Sequence, residues 1–230
     1  MSTRTDIISA LICPVSIARS HKSGLMKQSQ LNEIRVTVVD MFVDIYNTDK
    51  QYNIIYADPP WRYNQRNNKK TKFGGGVHAH YPTMSMEEIE KLPIEKLAGK
   101  NCALFLWTTF PYLDKQIQLF EKWGFRYTTL GFSWIKTNAK NGAPFFGVGY
   151  YAKSNCEICL LGIKGKMKPI SNRISSCVIS PREAHSKKPS EVRERIVSLF
   201  GDLPRIELFA RESADGWDCW GNDLNIQQKG

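Results

Sequence analysis

The chain has 230 residues, 42% of them hydrophobic and 23% charged, which suits one soluble domain with a full core and excludes a disordered or low-complexity polymer. Lys and Arg number 32 against 22 Asp and Glu, giving a formal net charge of +10 that draws the protein toward polyanions, nucleic acid first among them. No apolar run reaches the roughly 20 residues of a membrane span, and the six cysteines lack the spacing of a disulfide framework, so a reducing cytoplasm is the expected setting.

Residues 1–35 read as a leader or flexible tail. Ile7 to Ala18 has the outline of a weak signal core, but Asp6 and Pro14 interrupt it. Ile34 to Val39 is a short β-branched run ended by Asp40, expected as a peripheral strand.

Asn53-Ile54-Ile55-Tyr56-Ala57 is an apolar run of strand length that stops at Asp58-Pro59-Pro60-Trp61. Proline brings no N–H to a ladder, so the strand must end there, at a rigid corner carrying an acid and an indole. In open α/β sheets ligands collect beyond the carboxyl ends of the strands, which makes this corner the candidate site. The segment from Arg62 to Gly76 is polar, basic and glycine-rich, and is expected as a mobile lid. Its Arg66, Lys69 and Lys70 offer cations for phosphates, and Tyr63 offers a stacking face. No Gly-Lys-Ser/Thr follows its glycines, so it is not a phosphate loop.

Ser85-Met86-Glu87-Glu88 has the form of a capping box opening a helix toward Leu92, with Pro93 interrupting before Ile94 to Leu97. Cys102 to Trp107 predicts a buried strand; Leu113, Ile117, Phe120 and Trp123 predict a helix that stops at Gly124. Tyr127 to Lys136 predicts another strand, with Phe132 and Trp134 in the core. The Gly/Pro-punctuated loop 138–153 holds Phe145, Phe146, Tyr150 and Tyr151, suited either to reaching nucleic acid or to packing on a partner. Cys156 to Ile163 predicts a strand; its C-x-x-C lacks the second Cys/His pair of a zinc site, and His78 and His80 read as solvated loop residues, so no metal is expected. Lys164, Lys166, Lys168, Arg173, Arg182, Lys187 and Lys188 flank the corner in sequence as a possible basic rim. Pro189 to Gly201 is an amphipathic helix with Val192, Ile196 and Leu199 as its buried stripe, and Arg205 to Arg211 predicts a last strand. Apolar runs alternating with helices imply a three-layer α/β sandwich with a mostly parallel sheet.

Asp58-Pro59-Pro60-Trp61 resembles the signature of the MT-A70 family of S-adenosylmethionine-dependent adenine N6-methyltransferases. The likeness continues through His185-Ser186-Lys187-Lys188-Pro189, Glu207-Leu208-Phe209-Ala210-Arg211 and Gly216-Trp217-Asp218-Cys219-Trp220-Gly221-Asn222. It implies a Rossmann-like methyltransferase domain over 36–225, with a tail at 226–230 and the permuted β-type order in which the catalytic corner precedes the cofactor strand. A Gly-rich cofactor loop after Glu207 is missing, as it is in the family. The resemblance makes Asp58, Pro59, Pro60 and Trp61 catalytic, and assigns Lys188 to the cofactor's carboxylate and Glu207, Arg211, Asn222 and Asp223 to its ribose. Asp40 falls where family members hold the adenine end, or caps a turn; Glu157 falls near the substrate adenine, or is an edge carboxylate. The expected substrate is DNA, with RNA or a non-catalytic nucleic-acid-binding role as alternatives, in a bacterial or phage-infected cytoplasm. Monomer and dimer are left undetermined.

Overall fold

The computed structural model of the protein describes residues 41–62, 83–147, 149, 151–182 and 187–221. The expected strand before Asp40, Asp40 itself, the lid with Tyr63, Arg66, Lys69 and Lys70, both loop histidines, and Asn222 and Asp223 lie outside these residues.

Seven strands form one sheet among the described residues: β1 (Tyr52–Ala57), β2 (Ala98–Thr108), β3 (Arg126–Thr137), β4 (Cys156–Lys164), β5 (Cys177–Pro181), β6 (Arg205–Leu208) and β7 (Asp218–Trp220). Their spatial order is β5-β3-β4-β2-β1-β6-β7. All neighbours pair in parallel except β4, which runs antiparallel to both β2 and β3. β1 lies between β2 and β6, with Ala57 opposite Leu106 on one side and Leu208 on the other.

Helices cover both faces, giving three layers. On one face α1 (Met86–Glu90), α2 (Ile94–Leu97) and α3 (Leu113–Lys122) contribute Ile89, Ile94, Leu97, Leu119 and Phe120 to a cluster with Ile55, Ala57, Leu104 and Leu106. On the other, α4 (Glu191–Phe200) packs Val192, Ile196 and Phe200 on Ile54, Tyr56, Ala103 and Phe105. The alternation of Ile54/Tyr56 with Ile55/Ala57 explains why β1 reads as an unbroken apolar run: both of its faces are covered. Fully buried Ile54 and Ile55 each contribute about 1.5–3 kcal/mol by leaving water.

Local signals set several boundaries. The expected box at Ser85 is formed, with Glu88 N–H donating to Ser85 Oγ at 3.2 Å and Ser85 N–H to Glu88 Oε2 at 2.6 Å. Gly124 turns the chain at φ 76° after α3. Gly162 on β4 makes room for the Phe120 ring, which would stand 2.2 Å from an added Cβ. Phe132 and Trp134 are buried as expected.

Three expectations need correction. The last predicted strand stops at Leu208, because Phe209 takes a left-handed φ of 62° and turns the chain off the ladder. The buried stripe of α4 is completed by Phe200, with Leu199 only partly covered. The basic rim does not assemble as one patch. Lys164 ends β4, opposite Cys102, and Lys166 N–H binds Asn101 Oδ1, so the antiparallel strand carries both to the end of the sheet away from Asp58.

Candidate active site

The carboxyl ends of β1 and β6 and the amino end of antiparallel β4 meet at one edge of the sheet. Asp58 directly follows β1; Pro59 and Pro60 then hold a tight turn in which Trp61 N–H donates to the Pro59 carbonyl at 2.9 Å. A backbone bridge from Pro60 and Arg62 to Met84 fixes its far side. Trp61 is 7% exposed and its indole N–H donates to the Trp107 carbonyl at 3.2 Å, so most of this ring is wall. Trp107 in turn donates from Nε1 to the Tyr56 hydroxyl at 2.7 Å, while burial holds that phenol well above its usual pKa.

Lys188 is the hub. Its Nζ lies 2.7 Å from Asp58 Oδ2, 3.3 Å from Glu157 Oε2 and 5.3 Å from the centre of the Trp107 ring. Glu157, second residue of β4, is also paired with Lys136 near the end of β3. Two carboxylates and two ammonium groups thus alternate along the floor of the site. Burial pushes the Asp58 carboxyl above its ordinary value, with the Lys188 ammonium pulling it back. Burial acts on Glu157 in the same direction, yet Lys188 and Lys136 outweigh it and hold that carboxyl below the ordinary value. Burial disfavours the charged amine of Lys188, but Asp58 and Glu157 keep its pKa raised.

A second ion-pair chain runs beside the first. Arg193 on α4 reaches Glu207 of β6 at 2.8 Å and Glu212 at 2.9 Å, and Glu212 also meets Lys187 at 3.1 Å. Burial pushes the Glu207 carboxyl up, offset by Arg193. A narrow recess of about 30 Å³ lies between these groups, lined among others by Asp58, Lys188, Glu207, Phe209 and Arg211. Asp58, Lys188 and Arg211 also border a cleft of about 950 Å³, whose walls include Pro59 to Trp61, Trp107 to Pro111, and Gly149 with Tyr151 to Glu157.

The structure therefore brings together Asp58, Pro59, Pro60, Trp61, Glu157, Lys188, Glu207 and Arg211. Sequence reasoning did not single out Lys136, Arg193, Trp107 or Phe209. The strained φ of Phe209 at a pocket wall has no local sequence signal, and Arg193 looks like any charged residue on an amphipathic helix. The paired cysteines Cys156 and Cys159 sit on β4, and no His/Cys/Asp/Glu group among the described residues could hold a metal ion. No helix among them is long and apolar enough to cross a membrane.

Comparison with known proteins gives a family model, MT-A70, matching residues 52–223. Type II methyltransferase M.MunI of Mycoplasma sp is 33% identical over 190 residues, covering 76% of this chain and 78% of that protein. An N(6)-adenosine-methyltransferase MT-A70-like protein of Arabidopsis thaliana is 27% identical over 229 residues, 96% of this chain but 31% of its own length. The N(6)-adenosine-methyltransferase non-catalytic subunit METTL14 of Xenopus tropicalis is 28% identical over 195 residues, 79% of this chain and 41% of its own.

Proposed function

The chain belongs to the MT-A70 family of adenine N6-methyltransferases, and from that premise we propose that it transfers a methyl group from S-adenosylmethionine to the N6 amine of adenine in DNA. The observation that carries the reading is Asp58, a largely buried carboxylate held by Lys188 at 2.7 Å where the wide cleft and the narrow recess meet. DNA is preferred to RNA because the 33% match covers 78% of a type II methyltransferase, whereas the plant N(6)-adenosine-methyltransferase is covered to 31% of its length.

The lone pair of adenine N6 is delocalised into the ring, so the site must localise it. Asp58 Oδ2 is taken by Lys188, and Oδ1 can accept one amine hydrogen. The Pro59 carbonyl already accepts the Trp61 N–H, and its second lone pair can take the other hydrogen. Two prolines hold both acceptors still, which favours a tetrahedral nitrogen aimed away from them. As the amine gains positive charge, Asp58 stabilises it and receives the surplus proton on its way to solvent. Trp61 and Trp107 wall the space for an adenine that has left its stack.

The donor set fits the methyl donor. Lys188 is a cation suited to its carboxylate, and Glu207, whose Oε2 is fixed by Arg193, suits a ribose hydroxyl; Arg211 borders both spaces. When bound, S-adenosylmethionine supplies a methyl group on a sulfonium, an electrophile strong enough for an aromatic amine. Asn222, Asp223 and Asp40 are proposed to complete the cofactor site, and Tyr63, Arg66, Lys69 and Lys70 the nucleic-acid side.

A second reading, a non-catalytic subunit, has the METTL14 relative behind it. The deciding experiment pairs calorimetry of S-adenosylmethionine with methyl transfer to matched adenine-containing DNA and RNA. Cofactor binding with label on DNA adenine is expected. Label on RNA alone would move the substrate, and oligonucleotide binding without cofactor binding would favour the second reading.

A further inference from the structure

The wide cleft presents two aromatic side chains that belong to none of the buried clusters. Phe110 opens the 3-10 turn Phe110–Tyr112 after β2 and is 53% exposed; Tyr151, on the loop between β3 and β4, is 97% exposed. They come from separate loops, and both line the cleft that contains Asp58 to Trp61 and Glu157. Leaving a phenyl ring with no polar atom half in water forfeits its burial energy, which calls for a ligand-related reason when the ring borders a binding cleft.

Both rings stand on braced stems. Buried Gln116 of α3 receives the Thr109 N–H at 2.8 Å and donates to Thr109 Oγ1 at 3.1 Å. Pro111 then restricts the backbone just beyond Phe110, so a fully buried amide is devoted to fixing the base of this turn. On the loop between β3 and β4, Gly147 N–H donates to the Ser154 carbonyl at 2.7 Å, closing the loop that carries Tyr151. Cations accompany this side. Lys153 lines the cleft, and the Arg182 guanidinium lies 3.7 Å from the Phe145 ring centre on the same loop.

We propose that Phe110 and Tyr151 are stacking platforms for the nucleotides that flank the target adenine on one strand, with Lys153 facing its phosphates. The proposal rests on the nucleic-acid reading above and adds the residues that hold the strand. Every base offers a π-face, so two such platforms grip an opened strand without reading its sequence, leaving the adenine between them to reach Asp58. The ligand is therefore a single-stranded or locally opened segment.

The test uses full-length protein, a single-stranded oligonucleotide with one adenine, and the same oligonucleotide with abasic sites on both sides of that adenine. Wild type, Phe110→Ala, Tyr151→Ala and Phe110→Trp are compared by fluorescence anisotropy, methyl-transfer KM and S-adenosylmethionine calorimetry. Each alanine variant is expected to bind the intact strand about tenfold more weakly, a magnitude typical of base–aromatic stacking. Cofactor affinity stays unchanged, and Phe110→Trp retains the affinity of wild type. Abasic flanks weaken wild type similarly and cost the alanine variants much less. Alanine variants that bind and methylate the intact strand as wild type does would overturn the platforms while leaving the proposed function standing. Absence of transfer by wild type to any adenine would instead remove the proposed function, and this inference with it.

Discussion

Lys188 Nζ lies 2.7 Å from Asp58 Oδ2, although 130 residues separate the two in sequence. The contact joins the first strand of the sheet to the segment entering α4, and it carries Glu157 of β4 as a third member at 3.3 Å. One ammonium group shared by two partly buried carboxylates is a constrained arrangement, above all for Asp58, whose side chain is 19% exposed.

Removing the shared cation strands Asp58 and leaves Glu157 with Lys136 alone. Lys188→Met is expected to destabilise the protein by about 3 kcal/mol, the lower end for breaking a buried pair, since the Asp58 carboxyl can take up a proton and Glu157 keeps Lys136. Urea denaturation checks this, and Asp58→Asn placed on the Lys188→Met background should recover part of the loss.

The two acids respond oppositely to pH. Burial raises Asp58 above its ordinary 3.8, so kcat/KM should fall as pH is lowered through a midpoint above that value. Its stability contribution runs the other way from activity: present below the unfolded pKa and lost as pH rises through the folded one. Glu157, lowered from 4.5 by Lys188 and Lys136 against the pull of burial, contributes stability above 4.5 that is lost as pH falls through its folded pKa. The Tm deficit of Glu157→Gln relative to wild type should therefore be larger at pH 7 than below pH 4.5.

Arg193 holds Glu207 at 2.8 Å with both side chains 14% exposed. Arg193→Met is expected to cost about 3 kcal/mol of stability and to weaken S-adenosylmethionine binding, because Glu207 loses its fixed orientation. Calorimetry at a temperature where the variant remains folded separates the two effects.

Gly162→Ala tests the packing that supports the site. An added Cβ would meet Phe120 Cδ1 at 2.2 Å, so overpacking should lower stability by about 1–3 kcal/mol in a denaturant titration. Gly162 lies opposite Leu104 on β2, remote from the cleft walls, so cofactor affinity should change little.

The corner at Asp58 to Trp61 was legible because its signals are local: an apolar run, an acid, two prolines and an indole in succession. The capping box at Ser85 and the three-layer order were legible for the same reason. β5 (Cys177–Pro181) and β7 (Asp218–Trp220) were not, since five and three residues of mixed character carry no period of their own and become strands only by pairing with β3 and β6. The break at Phe209 was hidden too, because its left-handed backbone has no glycine to announce it. Nor could the resemblance reveal that Lys188 rests on Asp58 and Glu157, a contact made only when β1, β4 and the entrance to α4 converge.

The most direct measurement is mass-spectrometric detection of N6-methyladenine after incubation of wild type and Asp58→Ala with labelled S-adenosylmethionine and an adenine-containing DNA duplex. Circular dichroism establishes that the variant is folded. Labelled N6-methyladenine with wild type, and none above background with Asp58→Ala, is the expected result. Equal label with both proteins would contradict the role given to Asp58 and the mechanism built on it.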